Sequence, residues 1–317
     1  MATRPHHRPG IPPEILALSH ERDTLRRRGQ YDRADALKRQ IEDAGYVVKD
    51  NPHGAHLVIL PSIEVDGKEV FRTARQLPSL LDEADRCTFS VNLLAQNNGD
   101  QIRRCVESII RYAETTNIEI ILVDNGSQDD LDLWVQALQR QEPRLHLLRA
   151  TRPMGVAEAR NIGLKQSCGR YILFLDASVE LTGDIFTPLE KTLADRQVGL
   201  TGLHGFRTED LRHFEDSQEL EVEAIDGVCM AFKRALLKEA GLFDERYRFP
   251  HYMDIDFNFA IRDTGARTVV TPQLPIVSHA NERDAGLSDA ERTRLKKRNF
   301  YRFLEKWGDR DDLLLEQ

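Results

Sequence analysis

From about residue 88 the chain alternates strand-length apolar runs with segments whose apolar residues recur at helical spacing. FSVNLLA (89–95), IEIILVD (118–124), RLHLLRA (144–150) and RYILFLD (170–176) are the apolar runs. Runs of this kind suit parallel strands covered on both faces, where no side faces water and strict alternation is lost. Between them, QIRRCVESIIRYAE, DLDLWVQALQRQ and GVAEARNIGLKQ predict helices. Right-handed crossovers turn such a βαβαβαβ series into a doubly wound α/β sheet. After residue 180 the rhythm loosens into a helix near 184–195, a strand near 198–206 and a polar stretch to 224. VCMAFKRALLKEAG follows, then helices at 254–264 and 288–306.

The first part of the chain has a different pattern. Residues 1–13, rich in proline and basic residues, predict a flexible lead-in. Ile15, Leu16, Leu18, Leu25, Ala34, Leu37 and Ile41 are spaced for one face of a helical hairpin, with Gly29 as the cap at its break. DNPHGAHLVIL and SIEVDGKEVFRT supply short extended runs, with Asp66-Gly67 as a hairpin turn. LPSLLDEADRC (77–87) predicts a short helix. The expected division is therefore a lead-in (1–13), an N-terminal appendage (14–87), a main domain (88–308) and a tail (309–317).

Composition narrows the function classes. A formal charge of -8 gives no overall attraction to nucleic acid or anionic lipid. Cys87, Cys105, Cys168 and Cys229 lie far apart with no C-x-x-C pair, which argues against a zinc cluster and fits a reducing compartment. With no apolar leader and no apolar run near ~18 residues, the expectation is a cytoplasmic protein. Peripheral contact with a membrane needs only a surface patch and stays compatible with this.

Two of the strand-length runs end in a carboxylate, Asp124 in EIILVDNGSQDD and Asp176 in YILFLDASVEL. Open α/β sheets bind ligands at the carboxyl ends of their strands, so both acids are placed for chemistry. A buried carboxylate also needs a donor, a cation or a ligand.

SVNLLAQNN, EIILVDNGSQDD, RPMGVAEARNIGLKQSCGRYILFLDASVEL, GLFDERYRFPHYMDIDFNFAIRDTGAR, VSHA and RNFYRFLEKWG, in that order, resemble family 2 of the GT-A glycosyltransferases over about 88–308. The resemblance implies a GT-A doubly wound mixed sheet and an inverting transfer of a sugar from a nucleotide-diphosphate donor to an acceptor hydroxyl. It implies a donor side made of Ala95, Gln96, Asn97, Asp124, Arg160, Asp176, Ala177 and Ser178. Asp124 would read a donor edge of the base, which uracil, thymine and guanine all offer, so the donor is UDP-, dTDP- or GDP-linked. Its other reading is a turn cap in DNGSQDD. Arg160 would meet the nucleotide beside a helix start suited to anions, or else pair with Glu158. The match implies Asp254 as general base and Asp226, Gly227 and Asp256 on the acceptor side; Asp254 and Asp256 could equally serve the first turn of a helix.

The chain departs from the family at telling places. Ser178 replaces the second acid of the D-x-D site, and Met253 stands where a Glu precedes the base. Mg²⁺ or Mn²⁺ could be held by Asp176 with His279, Glu180 could reach in although its position suggests solvent, or metal affinity and turnover could both be weak. The last account gives the alternative function, a nucleotide-sugar-binding protein with lost or weak turnover. The closing helix is expected to pack its aromatics and leave its charges in solvent. ERDTLRRRGQYDRADALKRQIEDAGYVVKDNPHGAHL resembles the helical hairpin at the C-terminus of cysteinyl-tRNA synthetases. Packing or homo-oligomer formation is the expected role for it, and RNA is not an expected partner. The acceptor, whether a sugar, lipid-linked or a protein, is left open.

Overall fold

The computed structural model describes residues 11–44, 46–51, 54–59, 63–65, 68–279 and 288–316. The chain divides into two compact units, 1–76 and 77–317. The boundary falls before Leu77 rather than at residue 88.

In the first unit α1 (Pro13–Arg27) and α2 (Tyr31–Asp43) form the expected hairpin. Gly29 between them has φ +72°, a conformation that costs a glycine little. Strands β1 (Tyr46–Asn51) and β2 (Gly54–Ile59) pair antiparallel. Ile15, Ile41, Tyr46, Val48 and Leu57 make a small core with them. A second antiparallel pair joins β3 (Ile63–Val65) to β4 (Lys68–Phe71). The Asp66-Gly67 turn and residues 1–10 lie outside the described residues.

The second unit runs β5 (Cys87–Ala95), α3 (Gly99–Tyr112), β6 (Ile118–Asp124), α4 (Leu131–Gln139), β7 (Leu145–Ala150), α5 (Val156–Gln166) and β8 (Gly169–Leu175). Then come β9 (Val179–Leu181), α6 (Phe186–Leu193), β10 (Val198–Gly202), β11 (Gly205–Arg207), β12 (Glu215–Ser217), β13 (Ala224–Ile225) and β14 (Cys229–Lys233). The chain closes with α7 (Leu237–Ala240), α8 (Met253–Arg262), β15 (Arg267–Val270), β16 (Ile276–Ser278) and α9 (Asp289–Trp307).

Within this unit the main sheet has the order β15-β10-β14-β8-β5-β6-β7. Strands β5, β6, β7 and β8 are parallel, and β14 runs antiparallel between β8 and β10. This is a doubly wound mixed sheet. Along β8, Tyr171, Leu173 and Leu175 enter one core, whereas Ile172 and Phe174 enter the core on the opposite face. Coverage on both faces is why the sequence shows continuous apolar runs; each such side chain contributes roughly 1.5–3 kcal/mol. Helix α5 packs close: a Cβ on Gly163 would sit 2.1 Å from Asn92 Oδ1, so only glycine fits there.

Three expectations are corrected. Residues 77–87 form no helix; they are turns held by Arg234, whose guanidinium donates to the carbonyls of Leu80 and Glu83 and to Asp85. The strand expected at 198–206 is split, since β10 ends at Gly202 and β11 begins a separate small sheet with β12 and β13. The tail is part of the fold: Arg262 donates to the carbonyl of Leu313 from both Nε and Nη2, and Leu313 is buried beside Phe303 and Trp307. Those two aromatics of α9 pack on the core as expected, and Tyr301 stays exposed. Among the described residues no helix is long and apolar enough to cross a membrane.

Candidate active site

The parallel strands β5, β6 and β8 deliver their last residues to one edge of the sheet. Asp124 ends β6, and its buried carboxylate has both oxygens engaged. Oδ1 accepts from the amide of Ser127 at 2.8 Å, and Oδ2 lies 3.4 Å from Arg149 Nε. The turn-cap reading is therefore realised, and a nucleobase edge would share or displace the Arg149 pair. Ala95 is buried in the core, with its carbonyl accepting from the amide of Asn125. Gln96 and Asn97 are exposed beside it, Asn97 at φ 53°. Asn97 is clamped to the β6 turn: its amide donates to Ser127 Oγ, and its Oδ1 accepts from the amide of Gln128.

Sequence reasoning missed Asn125. Its side chain donates to Gln96 Oε1 and to the carbonyl of Met154, and accepts from the amide of Met154. One buried amide thus braces the loops that follow β5, β6 and β7. The only signal was its place in DNGS, directly after the strand-ending acid.

Arg160 and the start of α5 behave differently from expectation. The guanidinium of Arg160 is buried 4.8 Å from the centre of the Phe174 ring. The first amides of α5 do not await an anion, because Val156 and Ala157 donate to the carbonyls of Arg248 and Tyr247. A Cβ on Gly155 would fall 3.0 Å from Arg248 Cγ, so the glycine admits that loop instead of a phosphate. Asn161 holds the same loop through paired bonds with the backbone of Phe243 at 2.9 and 3.0 Å.

Asp176 follows β8 directly. Its Oδ1 accepts from both the amide and the hydroxyl of Ser178, at 2.9 and 2.7 Å. Ala177 between them is buried in the core and offers no polar side chain. Strands β9 and β16 pair so that the amide of His279 donates to the carbonyl of Ser178. The His279 ring then lies against Glu180, Nε2 to Oε2 at 2.8 Å. Glu180 is therefore paired instead of merely solvated, and His279 meets it and not the Asp176 carboxylate.

The described side chains do not by themselves make a site for a resident divalent ion. Among the described residues no three His, Cys, Asp or Glu side chains gather as a ligand set. The hydroxyl at 178 is a poor ligand for a hard cation, and the imidazole at 279 is engaged.

The acids converge through three residues of backbone. The carbonyl of Val228 accepts from the amide of Asp176, the amide of Val228 donates to Asp226 Oδ1, and the amide of Gly227 donates to Asp254 Oδ2. Asp254 sits in the first turn of α8, where its Oδ1 also accepts from the amide of Ile255. Desolvation, and then the charge of Asp226, push the Asp254 carboxyl up to about 6. Asp226 is raised in turn, by desolvation first and with a smaller push from Asp176. Three of the sequence-nominated acids thus form one electrostatic unit.

Asp256 leaves that unit. It is buried against α9, accepting from Trp307 Nε1 at 2.9 Å and Lys306 Nζ at 3.0 Å, with the Tyr247 hydroxyl at 3.4 Å. It is a structural anchor and not an acceptor-side group. Met253, in place of an acid, is packed into the core between α8 and the sheet.

A mixed sheet with its acids at the carboxyl ends of the parallel strands has the arrangement in which open α/β folds bind ligands, and comparison with known proteins gives its family. The model of glycosyl transferase family 2 matches residues 90–248, half of the chain, and the chain belongs to that family. Residues 8–56 match the anticodon-binding domain of cysteinyl-tRNA ligase. There, Arg22 and Arg26 both pair with Asp50, and Lys38 lies 3.8 Å from Glu42.

Glycosyltransferase GlyG of Streptococcus pneumoniae serotype 4 is 36% identical over 88 residues, 28% of this chain and 29% of that protein. The first curated relatives are matched over only about a quarter of their own length, 24% and 29%. Among solved structures, GalNAc-T7 with UDP, GalNAc and Mn²⁺ superposes with TM-score 0.60 at 19% identity, over 71% of this chain and 49% of that one. The mannosyltransferase PcManGT of Pyrobaculum calidifontis, in complex with GDP-Man and Mn²⁺, gives 0.55 at 20% identity, over 75% of this chain and 70% of that one. These likenesses establish the GT-A fold.

Proposed function

We propose that the chain is an inverting glycosyltransferase that moves a sugar from a nucleotide-diphosphate donor to an acceptor hydroxyl, with Asp254 as general base. The carrying observation is the Asp254 carboxylate, aligned by the amides of Gly227 and Ile255 and held near 6. An acid poised there is ionised at neutral pH yet takes a proton more readily than an ordinary aspartate. The acceptor oxygen bonds to the anomeric carbon as the bond from that carbon to the diphosphate oxygen breaks. The hydroxyl proton passes to Asp254, the nucleoside diphosphate departs, and attack from the opposite face inverts the centre.

Gln96, Asn97 and Asp124 are proposed to line the nucleoside, and Asp176 with Ser178 the diphosphate side, because all stand at the carboxyl ends of β5, β6 and β8. Arg160 is left to support Phe174. Mg²⁺ or Mn²⁺ would be held by Asp176 as part of a donor complex, and the transfer as written uses the chain's own groups.

Ser178 favours a second reading, a nucleotide-sugar-binding protein without turnover. Thermal melting with UDP-, GDP- and dTDP-sugars, with and without Mn²⁺, tests both. A ligand of the native state raises the melting temperature. A shift with donor consumption supports transfer, a shift without it supports binding alone, and no shift with any donor sinks both.

A further inference from the structure

Helix α9 carries Arg292, Arg294, Lys296, Lys297, Arg298 and Arg302 with no acid between residues 292 and 304. Its first-turn acids are engaged elsewhere, Glu291 in the capping box of Ser288 and Asp289 beside Arg292. Arg294, Arg298 and Arg302 stand four residues apart, so they share one face and span about 12 Å along the axis. Arg298 and Arg302 have no carboxylate within ion-pairing distance among the described residues, Arg294 is close enough to Glu291 to lower its carboxyl, and Arg302 donates to the carbonyl of Arg246.

The helix is tied to the loop that precedes Asp254. Buried Asn299 donates to the carbonyls of Phe249 and His251, at 2.9 and 2.8 Å, in the loop that leads into Asp254. The same loop carries exposed Arg248, whose side chain lies over Gly155. Partial burial, and then the charges of Arg302, Arg294 and Arg248, weaken the hold of Arg298 on its proton, as expected of like charges gathered together. Cations gathered on the helix that holds the loop before Asp254, in a chain of net charge -8, suit an anionic ligand.

We propose that Arg294, Arg298 and Arg302, with Arg248, bind phosphate groups of the acceptor, so that the natural acceptor carries more than one phosphate near its reacting hydroxyl. The guanidinium fork suits phosphate oxygens, and the length of the row exceeds what a single phosphate would fill. This rests on the glycosyl-transfer reading, and it names the substrate class for the acceptor side. A lipid diphosphate and a soluble phosphodiester chain share the chemistry.

The test measures binding of the full-length protein to inorganic tripolyphosphate by calorimetry, and to vesicles of phosphatidylglycerol or phosphatidylcholine by sedimentation. Tripolyphosphate should bind, weaken as salt rises, and weaken at least tenfold when Arg294, Arg298 and Arg302 are all changed to Ala. The triple Lys variant should keep most of the affinity, which separates lost charge from lost folding. The rise in melting temperature with a nucleotide sugar should be the same in all three proteins. Tripolyphosphate affinity unchanged in the Ala variant would overturn the proposal. So would binding to phosphatidylglycerol vesicles with none to tripolyphosphate, because the face would then read a membrane surface. If the native chain responded to tripolyphosphate but to no nucleotide sugar, the glycosyl-transfer reading would fall, taking the acceptor assignment with it and leaving the anion site.

Discussion

The amide of Gly227 donates to Oδ2 of Asp254 at 3.0 Å, so a strand-end turn and the first turn of α8 are registered through one carboxylate. A Cβ at 227 would come within 3.1 Å of that oxygen and 3.2 Å of Asp254 Cβ, tighter than ordinary contact. Gly227→Ala should therefore displace the base. Transfer should fall at least ~10-fold, since misplacement by a fraction of an ångström is costly in a reaction centre. Thermal melting with a nucleotide sugar should show donor binding within about twofold of the native chain.

The pH dependence follows from the raised Asp254. A general base must be ionised, so kcat/KM should rise with pH along an acid limb centred at about 6 and then level. Asp226→Asn removes the like charge that helps raise it, and the limb should move to lower pH. A rate profile of both proteins checks the direction; a limb that stays in place separates the two acids.

Ser178 is buried with its hydroxyl on Asp176, so Ser178→Asp sets a second carboxylate against the first. Like charges at that range disfavour ionisation of the pair. The variant should melt several degrees lower without metal, regain that loss with Mn²⁺, and bind its donor in a Mn²⁺-dependent way. The native chain should show less than about threefold dependence of donor affinity on Mn²⁺. Calorimetry with and without the ion measures it.

Asp256 offers the reverse case. Its carboxylate anchors Trp307 and Lys306 to α8, and Asp256→Ala should cost about 2–4 kcal/mol of stability, as for a broken buried ion pair and hydrogen bond. Once corrected for the folded fraction, kcat should stay within about threefold. Denaturant melting and active-fraction kinetics separate the two effects.

The elements were legible where period and burial coincide. Residues 118–124 and 170–176 read as buried strands because both faces are covered, and the observed strands, Ile118–Asp124 and Gly169–Leu175, differ from them by at most one residue at each end. Residues 77–87 misled because LPSLLDEADRC has helical composition, whereas Arg234, remote in sequence, takes their carbonyls. The acids Asp124, Asp176, Asp226 and Asp254 were visible in the motifs. Their joining through residues 226–228 was not, since it uses backbone amides that carry no signature. Glu180 and Asp256 were misplaced for the same kind of reason: His279 and Trp307, their partners, arrive from distant strands and helices.

The central claim is that Asp254 removes the acceptor proton. Asp254→Asn, assayed with the nucleotide sugar that stabilises the native chain, should lower transfer by roughly 10²–10⁴-fold while donor binding stays within about twofold. Transfer at the native rate in that variant would contradict the account.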